Sequence, residues 1–380
     1  MAGIYIHIPF CLTACDYCDF YSVTNKTHLL PDFVRAICAE IKHRNRELSG
    51  EIINTIYFGG GTPSMISPGQ LEEILLSVFR CYTVSPEAEI TIEANPDDIS
   101  DSWCEALIAM GFNRISIGTQ SFSDGALKFL NRRHNASRAR EAIRISANAG
   151  FQNISADLIY GIPGYTDGLL YNDLIFFVNS EVQHISVYAL TVEHNTPLHR
   201  KISRGQKQCP DEDVQSGQYL IIHDFLESNG YDGYEISNFA LPGFRSRHNS
   251  AYWEAIPYLG FGPAAHSFHF NERRYNAPSL VDYIRRADSL TFRTLSEKLS
   301  LTDMYNEYVM TALRTKSGLK RSRLKQFLTG TFEIKANQAL RKFEQAGWIQ
   351  LQPESICLTR EGKLFADRIS RELFLENDSQ

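Results

Sequence analysis

The sequence lacks the features that would take a chain to a membrane or to nucleic acid. No run approaches the roughly 18 consecutive apolar residues of a membrane span. Cationic residues are not in excess: 38 Lys and Arg stand against 44 Asp and Glu, a net charge of -6. That balance gives no general attraction to nucleic acid. The opening residues, Met1 to Pro9, carry neither a basic region nor a long apolar stretch. No signal peptide is read there, and the expected compartment is the cytoplasm. Internal repeats and low-complexity segments are missing too. Cysteine is sparse, at eight in 380 residues, and five of the eight (Cys38, Cys81, Cys104, Cys209, Cys357) are scattered. A disulfide scaffold would be shorter and denser in cysteine.

What remains is an ordinary globular composition, 43% hydrophobic and 22% charged. The length allows one large domain with one or two smaller ones. Short β-rich runs alternate with amphipathic ones through the first half. Strands are predicted at Ile4–Ile8, Thr55–Phe58, Glu89–Ile92, Arg114–Ile117, Ile154–Ile159 and His184–Leu190. Helices are predicted between them, near 32–46, 69–79, 100–110, 136–149 and 167–180. Ser100 reads as an N-cap, and Gly111 and Gly150 as helix stops. Strand–helix repeats imply a parallel α/β sheet. Polar residues cluster at or just beyond the carboxyl ends of the strands: cysteines after the first, glycines after the second, Glu93 and Asn95 after the third, Gln120 after the fourth. Asp157 lies in the fifth strand, and Tyr188 and Thr191 lie near the end of the sixth. Such groups share one mouth in a barrel, so a partial (β/α)6 barrel is favoured over a doubly wound sheet.

The repeat fades after Pro197. An aromatic- and glycine-rich stretch spans 231–270, and from Ser300 helices dominate, followed by a short hairpin near 348–358. Three helices and a hairpin predict a C-terminal winged-helix-like α+β domain. The basic run Lys320, Arg321, Arg323, Lys325 reads as a solvated helix face in so acidic a chain. The expected division is 1–235 for the barrel, 236–299 for an extension and 300–380 for the C-terminal domain.

Three cysteines remain, Cys11, Cys15 and Cys18, in the spacing C-x3-C-x2-C. Three thiolates on one loop can hold three irons of a four-iron, four-sulfur cubane and leave the fourth open to an amino-acid-like cofactor. Zinc would need a fourth ligand, for which His7 and His28 are the nearest candidates.

The spacing closely resembles that of the radical S-adenosylmethionine (SAM) superfamily, and Gly59-Gly60-Gly61-Thr62-Pro63 resembles its segment for the SAM amino group. Four more stretches resemble the HemN/HemW branch: residues 5–11, 93–96 (Glu-Ala-Asn-Pro), 118–122 (Gly-Thr-Gln-Ser-Phe) and 157–163. This branch holds the oxygen-independent coproporphyrinogen III oxidases and the heme chaperones. The resemblance implies a radical SAM barrel with Tyr5, Gly60, Gly61, Thr62, Glu93, Gln120, Arg132 and Asp157 around SAM. Carboxylates suit the ribose hydroxyls and the sulfonium, and an arginine suits the SAM carboxylate.

Within the branch, the oxidases typically carry a fourth cysteine two residues after the third; here that position is Phe20. His248-Asn249-Ser250-Ala251-Tyr252-Trp253 resembles the H-N-x-x-Y-W segment associated with heme in the chaperones. By that resemblance His248 ligates heme iron and Tyr252 and Trp253 cover the macrocycle. The implied function is a heme chaperone that passes heme to an acceptor protein and draws on an electron donor for its cluster. It would span no membrane, though peripheral membrane contact is compatible with it. The alternative is a coproporphyrinogen III oxidase. His266 is a candidate for the SAM mouth and Cys209 for heme, and neither is assigned.

Overall fold

The computed structural model describes residues 1–327 and 330–375. Six parallel strands form its centre: β1 (Ala2–Ile8), β2 (Ile53–Gly60), β3 (Val84–Ala94), β4 (Arg114–Gln120), β5 (Ile154–Tyr160) and β6 (His184–Ala189). Between them run α1 (Leu30–His43), α2 (Pro68–Cys81), α3 (Asp101–Ala109), α4 (Asp124–Phe129), α5 (Ala136–Ala149) and α6 (Asp167–Val178). In β1, Ile4, Ile6 and Ile8 are fully buried against the helices while Tyr5 and His7 alternate to the opposite face. Most residues of these strands are buried, as expected for parallel strands covered on both sides.

Two helix ends fall on the cap and stop residues read from the sequence, while α1 spans 30–43 instead of 32–46 and α4 was not expected. Ser100 accepts a hydrogen bond from the Trp103 backbone N–H at 3.3 Å. Asn135 caps α5 in the same way, and Gly150 ends it in the left-handed region at φ 113°.

The strands lie in sequence order, β1 through β6, with no reversal. A doubly wound sheet would reverse at a switch point; an open, barrel-like sheet does not. After β6 come α7 (Pro197–Ser203) and α8 (Glu212–Ser228). The sheet has twelve strands, because residues 232–298 extend it at both ends. Beyond β6, β8 (Asn238–Ala240) pairs antiparallel and β7 (Asp232–Gly233) follows. After α9 (Arg247–Trp253), β9 (Tyr258–Phe261) pairs parallel with β1. It is followed outward by β10 (His266–His269), β11 (Glu272–Asn276) and β12 (Thr294–Lys298), with α10 (Leu280–Ala287) set between the last two.

The 236–299 extension therefore has no core of its own. Phe239, Leu259, Phe261, Leu280 and Tyr283 join the barrel core. The buried Glu40 carboxylate of α1 fastens it further, accepting from Arg44, the Gly262 backbone N–H, the Asn276 amide and the Tyr283 hydroxyl at 2.6–3.0 Å.

A second core lies between Tyr305 and Leu373. It gathers α11 (Leu301–Leu313), β13 (Leu319–Lys320), α12 (Arg321–Leu324), α13 (Gly330–Gln345), β14 (Ile349–Leu351), β15 (Ser355–Leu358) and α14 (Ala366–Glu372). Its three antiparallel strands, in the order β13-β15-β14, and its helices have the winged-helix-like form expected. Among the described residues no helix is long and apolar enough to cross a membrane.

Candidate functional site

The loops at the carboxyl ends of the six strands enclose a cavity of about 460 Å³. Cys11, Cys15 and Cys18, from the loop after β1, line it together with Gly60, at the end of β2, and Gly61 and Thr62 just after it. Glu93, Gln120, Arg132 and Asp157 line it as well, as do Tyr188 and Thr191. Residues more than 180 positions apart thus meet because parallel strands bring their carboxyl ends to one side.

The cysteine loop is held at several points. The Thr62 hydroxyl lies 3.4 Å from Cys11 Sγ, and an Arg132 guanidinium nitrogen lies 3.2 Å from Cys15 Sγ. The other terminal nitrogen of Arg132 donates to the Gly118 carbonyl at 2.7 Å. Asp16, between the cysteines, is buried and accepts from Lys201 and Lys207 at 2.6 Å each. Burial pushes the Asp16 carboxyl up, but the hydrogen bonds and charges of the two lysines outweigh it and hold it below the usual range. Neither lysine was singled out in the sequence: nothing in its spacing ties residues 201 and 207 to residue 16.

The loop's chemistry fits a cubane cluster. Burial raises the Cys11 thiol, and pushes Cys18 up to about 11. Among the described residues, no three thiol, imidazole or carboxylate groups converge as a site for a single ion. A cubane asks for three thiols on one cavity, each for a different iron, and Cys11, Cys15 and Cys18 line one. Gly60 adds a backbone cradle. Its φ is 113°, and a Cβ there would sit 2.5 Å from the His7 ring.

Two carboxylates face the rest of the cavity. Glu93 accepts from the Tyr57 hydroxyl at 2.8 Å and from the Gly60 backbone N–H at 3.1 Å. Burial raises its carboxyl, against the pull of those two donors and of the nearly fully buried Arg114. Asp157 is pushed up to about 7, first by burial and then by the charge of Glu93, with Arg132 opposing. Tyr57 and Arg114 were not picked out from sequence. An arginine opening a strand of apolar residues was the one available signal.

Tyr5 does not line this cavity. Its ring lies beside both Tyr57, at 6.1 Å, and His248, at 6.4 Å, and its hydroxyl lies 3.1 Å from His7 Nδ1. His266 also lies outside it, stacked on Tyr275 at 5.1 Å, and Cys209 is exposed.

His248 is not offered to a ligand. It sits in α9, which Ser246 caps and whose first backbone N–H groups, Arg247 and His248, each donate to the Glu89 carboxylate at 3.0 Å. The imidazole is 2% exposed. Its Nδ1 is 2.8 Å from the Thr55 hydroxyl and its Nε2 is 2.8 Å from the Tyr252 hydroxyl. The ring lies against β1 at Gly3, where a Cβ would crowd Thr55 Oγ1, the partner of His248 Nδ1, at 2.9 Å. Burial first, and Arg114 second, lower its pKa to about 3, so it is neutral at physiological pH. His248 also stacks on Tyr57 at 5.0 Å. An unbroken series of contacts therefore joins Glu93, Tyr57, His248 and Tyr252.

A sequential parallel barrel with three loop cysteines and a glycine cradle defines the radical SAM class. The family model of the radical SAM superfamily matches residues 5–174, and that of the HemN C-terminal domain matches 299–365. The chain is 34% identical over 98% of its length to a heme chaperone HemW of Mycobacterium tuberculosis, covering 94% of that protein. It is 32% identical to a heme chaperone HemW of Lactococcus lactis, over 98% of this chain and 97% of the relative. The chain belongs to the HemW family of radical SAM proteins. Its fold matches that of the coproporphyrinogen III oxidase HemN from Escherichia coli, with a TM-score of 0.85 at 22% identity, over 98% of this chain and 90% of that one. Membership of the radical SAM superfamily implies a four-iron, four-sulfur cluster and SAM.

Proposed function

We propose that this chain is a heme chaperone that binds heme and passes it to an acceptor protein. The observation that carries the reading is the near-full-length likeness to relatives named heme chaperone HemW. The residue at position 20, Phe where the oxidases typically carry cysteine, supports it.

In this reading Cys11, Cys15 and Cys18 would hold the cluster, beside the part of the cavity where SAM would bind. Bound and reduced, the cluster supplies the electron that can cleave SAM. Gly60, Gly61 and Thr62 present backbone and hydroxyl groups to the amino end. Glu93, Gln120 and Asp157 supply acceptors for hydroxyls and for positive charge. Arg132 holds Cys15 and faces the same cavity, where it can meet a carboxylate. Tyr5 acts from behind this layer by packing on Tyr57. Of the heme-associated segment, Tyr252 and Trp253 provide apolar surface, and His248 positions Tyr252. The partners are heme, a heme-acceptor protein and an electron donor, with no nucleic acid, and the compartment is the cytoplasm.

Anaerobic reconstitution with iron and sulfide, followed by separate titrations with heme and coproporphyrinogen III, tests the reading. Saturable heme binding and handover to a heme-free acceptor are expected. Carbon dioxide release from coproporphyrinogen III, with SAM and a reductant present, would replace the chaperone with the oxidase.

A further inference from the structure

Both oxygens of the Glu93 carboxylate are engaged from β2. Oε1 accepts from the Tyr57 hydroxyl at 2.8 Å, and Oε2 accepts from the Gly60 backbone N–H at 3.1 Å. A carboxylate offers about four acceptor sites, so two donors fix its plane and leave a site on each oxygen for a ligand. Glu93 lines the cysteine cavity and Tyr57 does not. The tyrosine therefore reaches the cavity only through the carboxylate. Its ring is itself held from behind, stacked on His248 at 5.0 Å and on Tyr5 at 6.1 Å. Gly59 keeps the way to Glu93 open: a Cβ there would sit 2.8 Å from the Tyr57 ring and 3.0 Å from Glu93 Oε1.

The electrostatics agree with the geometry. Burial first, and then the charge of Glu93, hold the Tyr57 hydroxyl above its ordinary value, so it stays protonated and donates throughout the physiological range. Burial raises the Glu93 carboxyl, and the Tyr57 hydroxyl is the strongest of the groups that oppose it, ahead of the Gly60 N–H and of Arg114 in β4. The charge of Glu93 is also felt by Asp157 of β5, Tyr5 of β1, Tyr188 of β6 and Tyr252 of α9. Among the described residues, only Tyr57 and Gly60 hydrogen-bond to the carboxylate.

We propose that Tyr57 is a positioning residue for SAM, its hydroxyl fixing the orientation in which Glu93 meets the cofactor. This rests on the assignment of Glu93 to SAM made above and deepens it. A donor to a carboxylate oxygen also stabilises the charged form. Tyr57 thereby sets how far the pH can fall before Glu93 takes up a proton and SAM binding weakens. The stack with His248 and Tyr5 aims the hydroxyl.

The full chain, with its cluster reconstituted, is titrated anaerobically with SAM by calorimetry through the neutral and mildly acidic range. Tyr57→Phe keeps the ring and removes only the hydroxyl. It should weaken SAM about tenfold, or about 1.4 kcal/mol, and move the acid limb of the affinity to higher pH. Asp157 titrates in parent and variant alike, so the shift is read as their difference. In a Glu93→Gln background, Tyr57→Phe should change neither the affinity nor the limb. Gly59→Ala drives a methyl into the same contact and should move the limb in the same direction; it carries the test if Tyr57→Phe does not fold. A folded, cluster-loaded Tyr57→Phe with SAM affinity within about twofold of the parent, or with an unmoved limb, overturns the proposal. So does an equal loss of affinity in the Glu93→Gln background, which would make Tyr57 a packing residue alone. Failure of the underlying assignment looks different: Glu93→Gln would itself bind SAM as the parent does, removing the assignment and the proposal with it.

Discussion

Arg132 lies with one guanidinium nitrogen 3.2 Å from Cys15 Sγ and the other 2.7 Å from the Gly118 carbonyl, tying the cysteine loop to the end of β4. The two contacts hold the Cys15 sulfur and its loop in place where the cluster would assemble. Arg132→Gln should therefore slow anaerobic cluster assembly and speed cluster loss to a chelator, both followed by the visible absorption of the cluster. An unchanged rate would show that the contact is packing only.

Replacing Cys11, Cys15 and Cys18 together with Ala should abolish the cluster absorption and the bound iron and sulfide. Single Ser substitutions at Cys38, Cys81, Cys104, Cys209 or Cys357 should leave iron per folded chain unchanged. An obligatory ligand among those five would break the open-iron argument.

Asp16→Ala leaves Lys201 and Lys207 without the buried carboxylate they share. The expected loss of stability is about 1–3 kcal/mol, read as a lower denaturant midpoint. The Asp16 carboxyl is depressed in the folded chain, so its contribution is present above the unfolded carboxyl pKa and fades as pH falls through the folded value. The parent and variant midpoints should converge in acid. If they stay parallel, the lysines are not what Asp16 contributes.

Asp157 has the opposite sign. Its carboxyl is raised to about 7, so the fold is favoured while it is protonated and loses that advantage as pH rises through 7. Asp157→Asn should stabilise the cofactor-free chain at pH 8 while leaving it little changed near pH 4. Because the carboxyl borders an open cavity, only part of the linkage energy is expected, roughly 1–2 kcal/mol. The same variant should bind SAM more weakly. A stability gain without weaker SAM binding would separate Asp157 from the cofactor.

His248→Ala removes the partner of both Thr55 and Tyr252 and leaves a void, a loss of about 2–4 kcal/mol. His248→Gln should recover much of that stability. With His248 as a positioning residue, hemin bound to the Gln variant keeps the parent's absorption spectrum. A shifted spectrum in a fully folded Gln variant would make His248 the iron ligand that the sequence resemblance implies.

The sequence determined the architecture and the grouping of three cysteines on one loop. Alternating β-rich and amphipathic runs dictate a parallel sheet, and C-x3-C-x2-C on one loop puts three thiolates side by side wherever that loop lies. Both are local patterns, so spacing alone reveals them. The glycine run and the residues at strand ends were legible for the same reason. Only the tertiary structure decided which way side chains face and what lies next to them. Tyr5 and His248 both read as ligand residues, yet β1 and α9 bring them together with Tyr57 of β2 in one aromatic cluster. There burial makes two hydrogen bonds to His248 worth more than exposure of its ring. The extension at 236–299 reads as a separate piece because its turns and short strands break the period, yet pairing of β9 with β1 merges it into the barrel core. The lysines that clamp Asp16 and the Tyr57 hydroxyl on Glu93 come from segments far apart in the chain. Such contacts are set by packing across the fold, which no local pattern encodes.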